Sequence, residues 1–465
     1  MFTYNFDKKG SMSKYEYLYS CLKDDILSGK LKEGAKMPSK RTFARENHIS
    51  ITTVMNAYEQ LLMEGYLVSR ERSGYYVAST FTQKIRYQDI TISPPRPEFD
   101  KNWAADFTKN VIPHQIFPFS TWSKILRKVL SDNGTKLLGH GNFLGNTELR
   151  IEIAKYLNRT RGMLVSADCI LIGASFDYLY SNLIHLLPDN SIYAVENPGY
   201  IKIPRLYNNL NLNWVTVETD EEGISMSALE KSDASIIHTS PDHHYPLGTI
   251  MSARRRQQLL KWLSESPDRY IIEDDYDWEF RYQGRPIPAL HGMDYSGRVI
   301  YINTFNKTMC PGIKISYMVL PETLMQKYIE SLYFFSNTSS NLEQFTLAEF
   351  IKEGYFDRHV NKTKKYCHQL RDKLITCINA HPDIPVSAIN GIDSGTHILL
   401  KLNTNMSDNK IKEKAKALSI NFRCLSDFCI NTPLEYQSTI VLNYAGLLEE
   451  QIEQSIDLLS KIFKE

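Results

Sequence analysis

Lys307 stands where an apolar, β-branched run, Val299-Ile300-Tyr301-Ile302, breaks at Thr304-Phe305-Asn306. A lysine amine at the end of a buried strand can condense with an aldehyde once its surroundings lower its pKa. Upstream, Tyr270-Ile271-Ile272 runs into an acidic cluster, Glu273-Asp274-Asp275-Tyr276-Asp277. A carboxylate at a strand end can hold a cation such as a protonated ring nitrogen, and a nearby tyrosine hydroxyl can donate to a ring oxygen. The alternative for Lys307 is a surface turn. For the acidic residues the alternatives are a metal site, which would want more of its ligands close together, or a solvated turn.

These groups need a frame of buried strands. Residues 270–272, 299–302 and 313–320 each predict a short strand. Folds that alternate strands and helices present ligand sites at strand ends. From Trp103 onward strand and helix patterns alternate, which predicts an α/β domain. Residues 169–172 predict another strand, and Gly173-Ala174-Ser175 opens the helix after it, where backbone amides can cradle a phosphate. A lysine for the aldehyde, a carboxylate for the ring nitrogen and amides for the phosphate are what pyridoxal phosphate needs from a protein. His238, Asp242, His243 and His244 also lie close together in sequence. Adjacent histidines point in different directions, so a metal site is set aside. Further on, residues 341–378 predict one long helix or two with a basic outer face. Residues 395–402 predict a strand, and 408–418 and 449–463 predict helices. The expectation is a small C-terminal α+β subdomain over about residues 340–465.

The first eighty residues carry a different pattern. Apolar positions from Tyr15 to Leu27 recur at helical spacing, and Gly29 closes the helix. Pro38 is placed to start a second helix, and Ser50 to cap a third with Val54, Ala57, Tyr58 and Leu61 on one face. Residues 66–70 and 74–77 predict a hairpin. Three helices and a hairpin make a winged helix-turn-helix, with the helix after Ser50 entering the major groove. A small helical interaction module without a nucleic-acid role is the alternative. Residues 1–80 hold twelve Lys/Arg against nine Asp/Glu, a slight basic excess.

At 465 residues the chain is too long for one ordinary core. The expected division is a DNA-binding domain at 1–79, a proline-containing linker at 80–102 and a large domain at 103–465. A net charge of +1 excludes a polycation, so nucleic-acid binding has to come from local pattern. Seven cysteines without CxxC spacing suit reduced thiols rather than a disulfide framework. No apolar run has membrane-spanning length and the N-terminus lacks an apolar signal core, so the expected location is the cytoplasm, with no membrane partner.

Two stretches carry a family resemblance. Residues 273–321 resemble fold-type I aminotransferases and, more narrowly, the MocR-type (GabR-like) branch of GntR transcriptional regulators. Residues 38–78 are similar to the GntR winged-helix signature, from the Pro-Ser-x-Arg opening to the Ser-Gly wing. The resemblance implies that Lys307 carries the pyridoxal 5'-phosphate aldimine, that Asp274 holds the pyridinium and that Tyr276 meets the ring oxygen. Thr304, Ala174, Ser175 and Lys314 would touch the phosphate; Lys314 replaces the usual arginine, and Asn306 the usual serine before the lysine. His140 stands where the family often has a tyrosine reaching the partner subunit's cofactor phosphate. His243 matches the histidine of a loop beside the ring, and His244 replaces its glutamine. Ser39, Arg41, Ser50, Thr52, Thr53, Arg70 and Gly74 occupy DNA-facing positions, and Ile51 stands where arginine is common. A homodimer on double-stranded operator DNA is implied, responding to pyridoxal phosphate itself or to an amine or amino acid, in control of vitamin B6 or amine metabolism. The substrate-carboxylate arginine of aminotransferases is missing from the final strand, Thr439 to Tyr444. The competing expectation is an aminotransferase with a vestigial DNA-binding domain, with Lys307, Asp274 and Tyr276 able to run a slow half-transamination.

Overall fold

The computed structural model describes residues 3–79, 102–284, 287–431 and 433–464. The linker expected at 80–102 therefore lies almost entirely outside the described residues. The chain forms two compact units, 1–100 and 101–465.

In the first unit α1 (Lys14–Leu27) opens with a capping box: the Ser13 side chain accepts from Glu16 N, and Glu16 returns the bond to the Ser13 backbone. α2 (Lys40–Glu46) and α3 (Ile51–Met63) are capped by Ser39 and Ser50, whose side chains accept from Thr42 N and Thr53 N. Pro38 thus precedes the cap instead of starting the helix, because the Ser39 hydroxyl satisfies Thr42 N. Strands β1 (Leu67–Arg70) and β2 (Gly74–Val77) pair antiparallel. Leu18, Leu22, Phe43, Val54, Tyr58, Leu61 and Val77 form one buried core. This is the three-helix, one-hairpin winged helix predicted from the pattern.

The second unit contains β3 (Ala105–Asp106), β4 (Ile170–Gly173), β5 (Ile192–Asn197), β6 (Asn213–Asp220), β7 (Gly223–Ile224), β8 (Ile236–Thr239), β9 (Tyr270–Asp274), β10 (Val299–Thr304) and β11 (Ser316–Val319). Then follow β12 (Val386–Asn390), β13 (His397–Leu402), β14 (Ile420–Asn421), β15 (Arg423–Cys424) and β16 (Thr439–Asn443). The large sheet has the order β4-β11-β10-β9-β8-β5-β6-β7. β10, β9, β8, β5 and β6 run parallel, and β11 is antiparallel to both of its neighbours. The carboxyl ends of β4, β5, β8, β9 and β10 therefore share one edge, where an open α/β sheet binds ligands.

The continuous apolar run in β10 is explained by burial on both faces. Ile300 and Ile302 pack with Leu179, Leu183 and Tyr328 on one side, and Tyr301 packs with Ile153, Leu157 and Leu347 on the other. A second sheet, β12-β13-β16-β15, forms the smaller layer. Its core draws on Cys367, Leu370, Leu374 and Ile378 and also on Ala105, Phe107, Ile112 and Ile116. Residues from the start of the unit join it because β3 pairs in parallel with β14. The helical stretch expected at 341–378 is two helices, Asn341–Lys352 and Tyr355–Asn379, separated by Gly354 at φ +70°.

Candidate functional site

Lys307 sits in the short helix Phe305–Thr308 directly after β10, and its Nζ donates to the Asn110 carbonyl at 3.3 Å. Burial lowers its pKa, nearby Asp277 and Asp274 draw it back up, and Lys202 lowers it further. The amine is thus easier to deprotonate than an exposed lysine, the direction a nucleophilic amine requires. Parallel β9 ends beside it, pairing Asp274 with Ile302. Glu273, Asp274, Asp275 and Asp277 are all buried, so the acidic cluster is not a solvated turn.

The four carboxylates face different partners. Glu273 turns away and accepts from Leu290 N and His291 N at 2.8 and 2.9 Å. Asp274 Oδ2 lies 3.5 Å from His238 Nε2, on neighbouring β8. Asp277 Oδ2 lies 2.8 Å from His243 Nδ1, which is also 3.0 Å from the Tyr276 hydroxyl. Burial raises the Asp277 carboxyl, and His243 and Lys307 beside it draw it back down. Nε2 of both His238 and His243 is buried without a hydrogen-bond partner among the described residues. A Cβ at Gly395, whose φ is +75°, would lie 1.7 Å from the His243 ring. Only glycine lets that turn of the small layer close over the histidine, and the Tyr282 and Tyr444 hydroxyls hold it by donating to Gly395 O, each at 2.7 Å.

The residues expected around a phosphate divide into those at the sheet edge and those away from it. Ser175 caps the helix Phe176–Ile184, accepting from Tyr178 N at 3.2 Å. Ala174 N donates to Thr338 Oγ1 at 2.9 Å. Thr304 ends β10 and accepts from Ser316 Oγ at 2.9 Å. Lys314 and His140 are exposed on loops. His140 lines a cavity of about 510 Å³ with Asn142, Tyr333, Phe334 and Asn341. Sequence reasoning missed Asn110, Thr338 and the Asp277 to His243 contact. In the sequence His238 reads only as a metal-ligand candidate, because its pairing with Asp274 depends on the β8 to β9 register. Among the described residues no group of His, Cys, Asp and Glu side chains is arranged to hold a metal ion.

Behind the acidic edge lies a buried ion cluster. Arg161, at the end of the helix Thr147–Arg161, reaches Asp275 Oδ2 at 2.8 Å and also pairs with Asp242. Arg256 meets Asp242 Oδ1 at 3.1 Å and the Pro288 carbonyl at 2.8 Å. Burial pushes the Asp242 carboxyl up, but the two guanidinium groups outweigh it and hold the pKa below the usual range. The cluster ties the loop carrying His243 to the strand end carrying Asp274.

Close by, burial pushes Glu279 up to about 8 from its ordinary 4.5. Its Oε2 has no hydrogen-bond partner among the described residues. The fold keeps this acid protonated, while the unfolded chain ionises it above pH 4.5. Stability is therefore lost as pH rises from 4.5 to about 8, by up to about 1.4 kcal/mol per pH unit. Glu279→Gln, which does not titrate, should match wild type near pH 4.5 and exceed it increasingly towards pH 8. Urea unfolding at both pH values, followed by tryptophan fluorescence, checks this; all five tryptophans lie between 103 and 278, in the large unit.

In the first unit Arg41, Ser50, Thr52, Arg70 and Gly74 are exposed. The Ser39 and Ser50 hydroxyls are engaged as caps and bond to Thr42 Oγ1 and Thr53 Oγ1 at 2.7 and 2.8 Å. The Arg70 guanidinium stacks over Tyr76, with 4.5 Å to the ring centroid.

Residues 14–77 match the family described as bacterial regulatory proteins, gntR family. Over 458 residues the chain is 36% identical to the HTH-type transcriptional regulator YdeL of Bacillus subtilis, covering 97% of this chain and 96% of that one. It is 29% identical over 472 residues to the probable rhizopine catabolism regulatory protein MocR of Rhizobium meliloti, covering 98% and 95%. The large unit resembles the Pyrococcus horikoshii kynurenine aminotransferase structure at a TM-score of 0.70 and 24% identity, over 78% of this chain and 91% of that one, which shows the fold. With its gntR-type winged helix, its aminotransferase-like sheet and full-length relatives of this kind, the chain belongs to the MocR-type branch of the GntR family of transcriptional regulators.

Proposed function

We propose that this regulator binds pyridoxal 5'-phosphate in its large unit, with Lys307 as the residue that bonds the cofactor covalently. The observation that carries the reading is the amine of Lys307, withdrawn from water at the carboxyl edge of the sheet beside Asp274 and Asp277. The donor set fits the group. Asp274 is buried, and its contact with His238, at 3.5 Å, leaves it able to accept from a ring N–H. Tyr276 would meet the ring oxygen. Ala174, Ser175, Thr304 and Lys314 would hold the phosphate, with His140 of one copy reaching towards the site of another in a homodimer. The bound aldehyde would supply an electrophile for amines. His243, oriented by Asp277 and covered by Gly395, presents a ring nitrogen, Nε2, with no hydrogen-bond partner among the described residues.

The protein acts in the cytoplasm on double-stranded operator DNA, and cofactor binding shifts the homodimer between states of different DNA affinity, which requires differential affinity for the two states. The cofactor itself is favoured as the signal over an amino acid. The final strand itself carries no arginine; the neighbouring guanidinium, that of Arg423 opposite Val441 on β15, is exposed and lies over the Phe428 ring, 5.6 Å from its centroid. Control of vitamin B6 or amine metabolism follows from that chemistry. Electrophoretic mobility shifts on the protein's own promoter, with and without pyridoxal phosphate, test it. A change in affinity or band pattern with the cofactor alone is the expected result. An unchanged pattern that responds only after an amine or amino acid is added would transfer the signal to that compound.

A further inference from the structure

We infer that α3 reads an A·T core in each operator half-site, with Ile51 against a thymine methyl group and Asn56 on an adenine edge. This rests on the winged helix being the DNA reader. In a helix-turn-helix the second helix lies in the major groove with its N-terminal residues at the base edges. α3 reads ITTVMNAYEQLLM and contains neither lysine nor arginine. The commonest contact to guanine, a bidentate arginine or lysine on O6 and N7, is therefore unavailable from this helix.

What the helix does present is apolar and amide chemistry. Val54, Ala57, Tyr58 and Leu61 are buried, which fixes the opposite face outward. At the first helical position Ile51 is 50% exposed, a large apolar side chain left in water. Thr52 and Asn56 are exposed one turn apart. The Ser50 hydroxyl is committed to Thr53 N at 3.1 Å and to Thr53 Oγ1, so the front of the helix offers few free hydroxyls. An isoleucine finds an apolar partner in the major groove only at the 5-methyl of thymine, and an asparagine amide matches adenine N6 and N7. The cations of the unit sit elsewhere. Arg41 and Arg45 lie exposed on α2, and Arg70 and Arg72 flank the hairpin turn, where they can contact phosphates and set register without reading bases.

The test starts with selection of bound duplexes from a random-sequence library by the full-length protein. Half-sites with A·T pairs at their centre are expected. Thymines of the selected site are then replaced singly by uracil, which removes only the methyl group. One such replacement per half-site should weaken wild-type binding about fourfold, the worth of one buried methyl, and should leave Ile51→Ala unaffected. A single 7-deazaadenine, lacking the N7 acceptor, should likewise weaken wild type and not Asn56→Ala. Both side chains are exposed, so neither variant should disturb folding. A selected core of G·C pairs, or a uracil effect of full size in Ile51→Ala, would overturn the inference while leaving the DNA-binding reading intact. Recovery of no bound duplex would remove the DNA-binding reading itself, and this inference with it.

Discussion

Replacing Arg161 by methionine is expected to destabilise the large unit by about 3–5 kcal/mol, the usual cost of removing one partner from a buried ion pair. The side chain is inaccessible to solvent and sits between Asp242 and Asp275, two carboxylates that are themselves buried. Methionine fills much of the volume but leaves Asp242 with Arg256 alone and removes the guanidinium that opposes the burial already raising the Asp275 carboxyl. Arg161 also stacks on Trp278, 4.8 Å from the ring centroid, so the tryptophan environment should change as well. Denaturant unfolding at neutral pH, followed by tryptophan fluorescence, reads this unit specifically. A loss below about 1 kcal/mol would mean that water or the remaining arginine compensates the two acids.

Replacing Asp274 by alanine is expected to weaken pyridoxal phosphate binding by roughly thirtyfold or more, since truncating one side of a buried charge pair costs about 2–5 kcal/mol. Without cofactor the same change should cost little stability, because the Asp274 side chain has no hydrogen bond among the described residues and its contact with His238 is long. This separation of binding from stability distinguishes a ligand-holding carboxylate from a structural one. Equilibrium titration of wild type and Asp274→Ala with pyridoxal phosphate, alongside unfolding of both apo proteins, measures the two effects. Equal affinities would remove Asp274 from the site.

The local signals in the sequence were strong where the structure is built from local contacts. Ser50 caps α3 as its sequence position predicts, because a serine oxygen takes up an unpaired amide, a rule that needs only neighbouring residues. The two-sided burial of β10 is legible in its unbroken apolar run, and the strand-end position of Lys307 follows from where that run stops. The environment of the lysine was not legible. His238 reaches Asp274, and Arg161 reaches Asp275, only through strand register and helix packing across long stretches of chain. Arg161 carries no mark of its burial in the sequence, since its partners lie 81 residues or more away. Pairing of β3 with β14 is equally remote, so the contribution of Phe107 to the small layer's core had no local mark.

The most direct measurement of the covalent site is the visible absorption spectrum of the purified protein with pyridoxal phosphate, for wild type and Lys307→Ala, followed by borohydride reduction and peptide mass analysis. The expected result is a visible band in wild type, absent from the variant, with the added mass on the peptide containing Lys307. No band in wild type, or the same band and labelling in Lys307→Ala, would contradict the account.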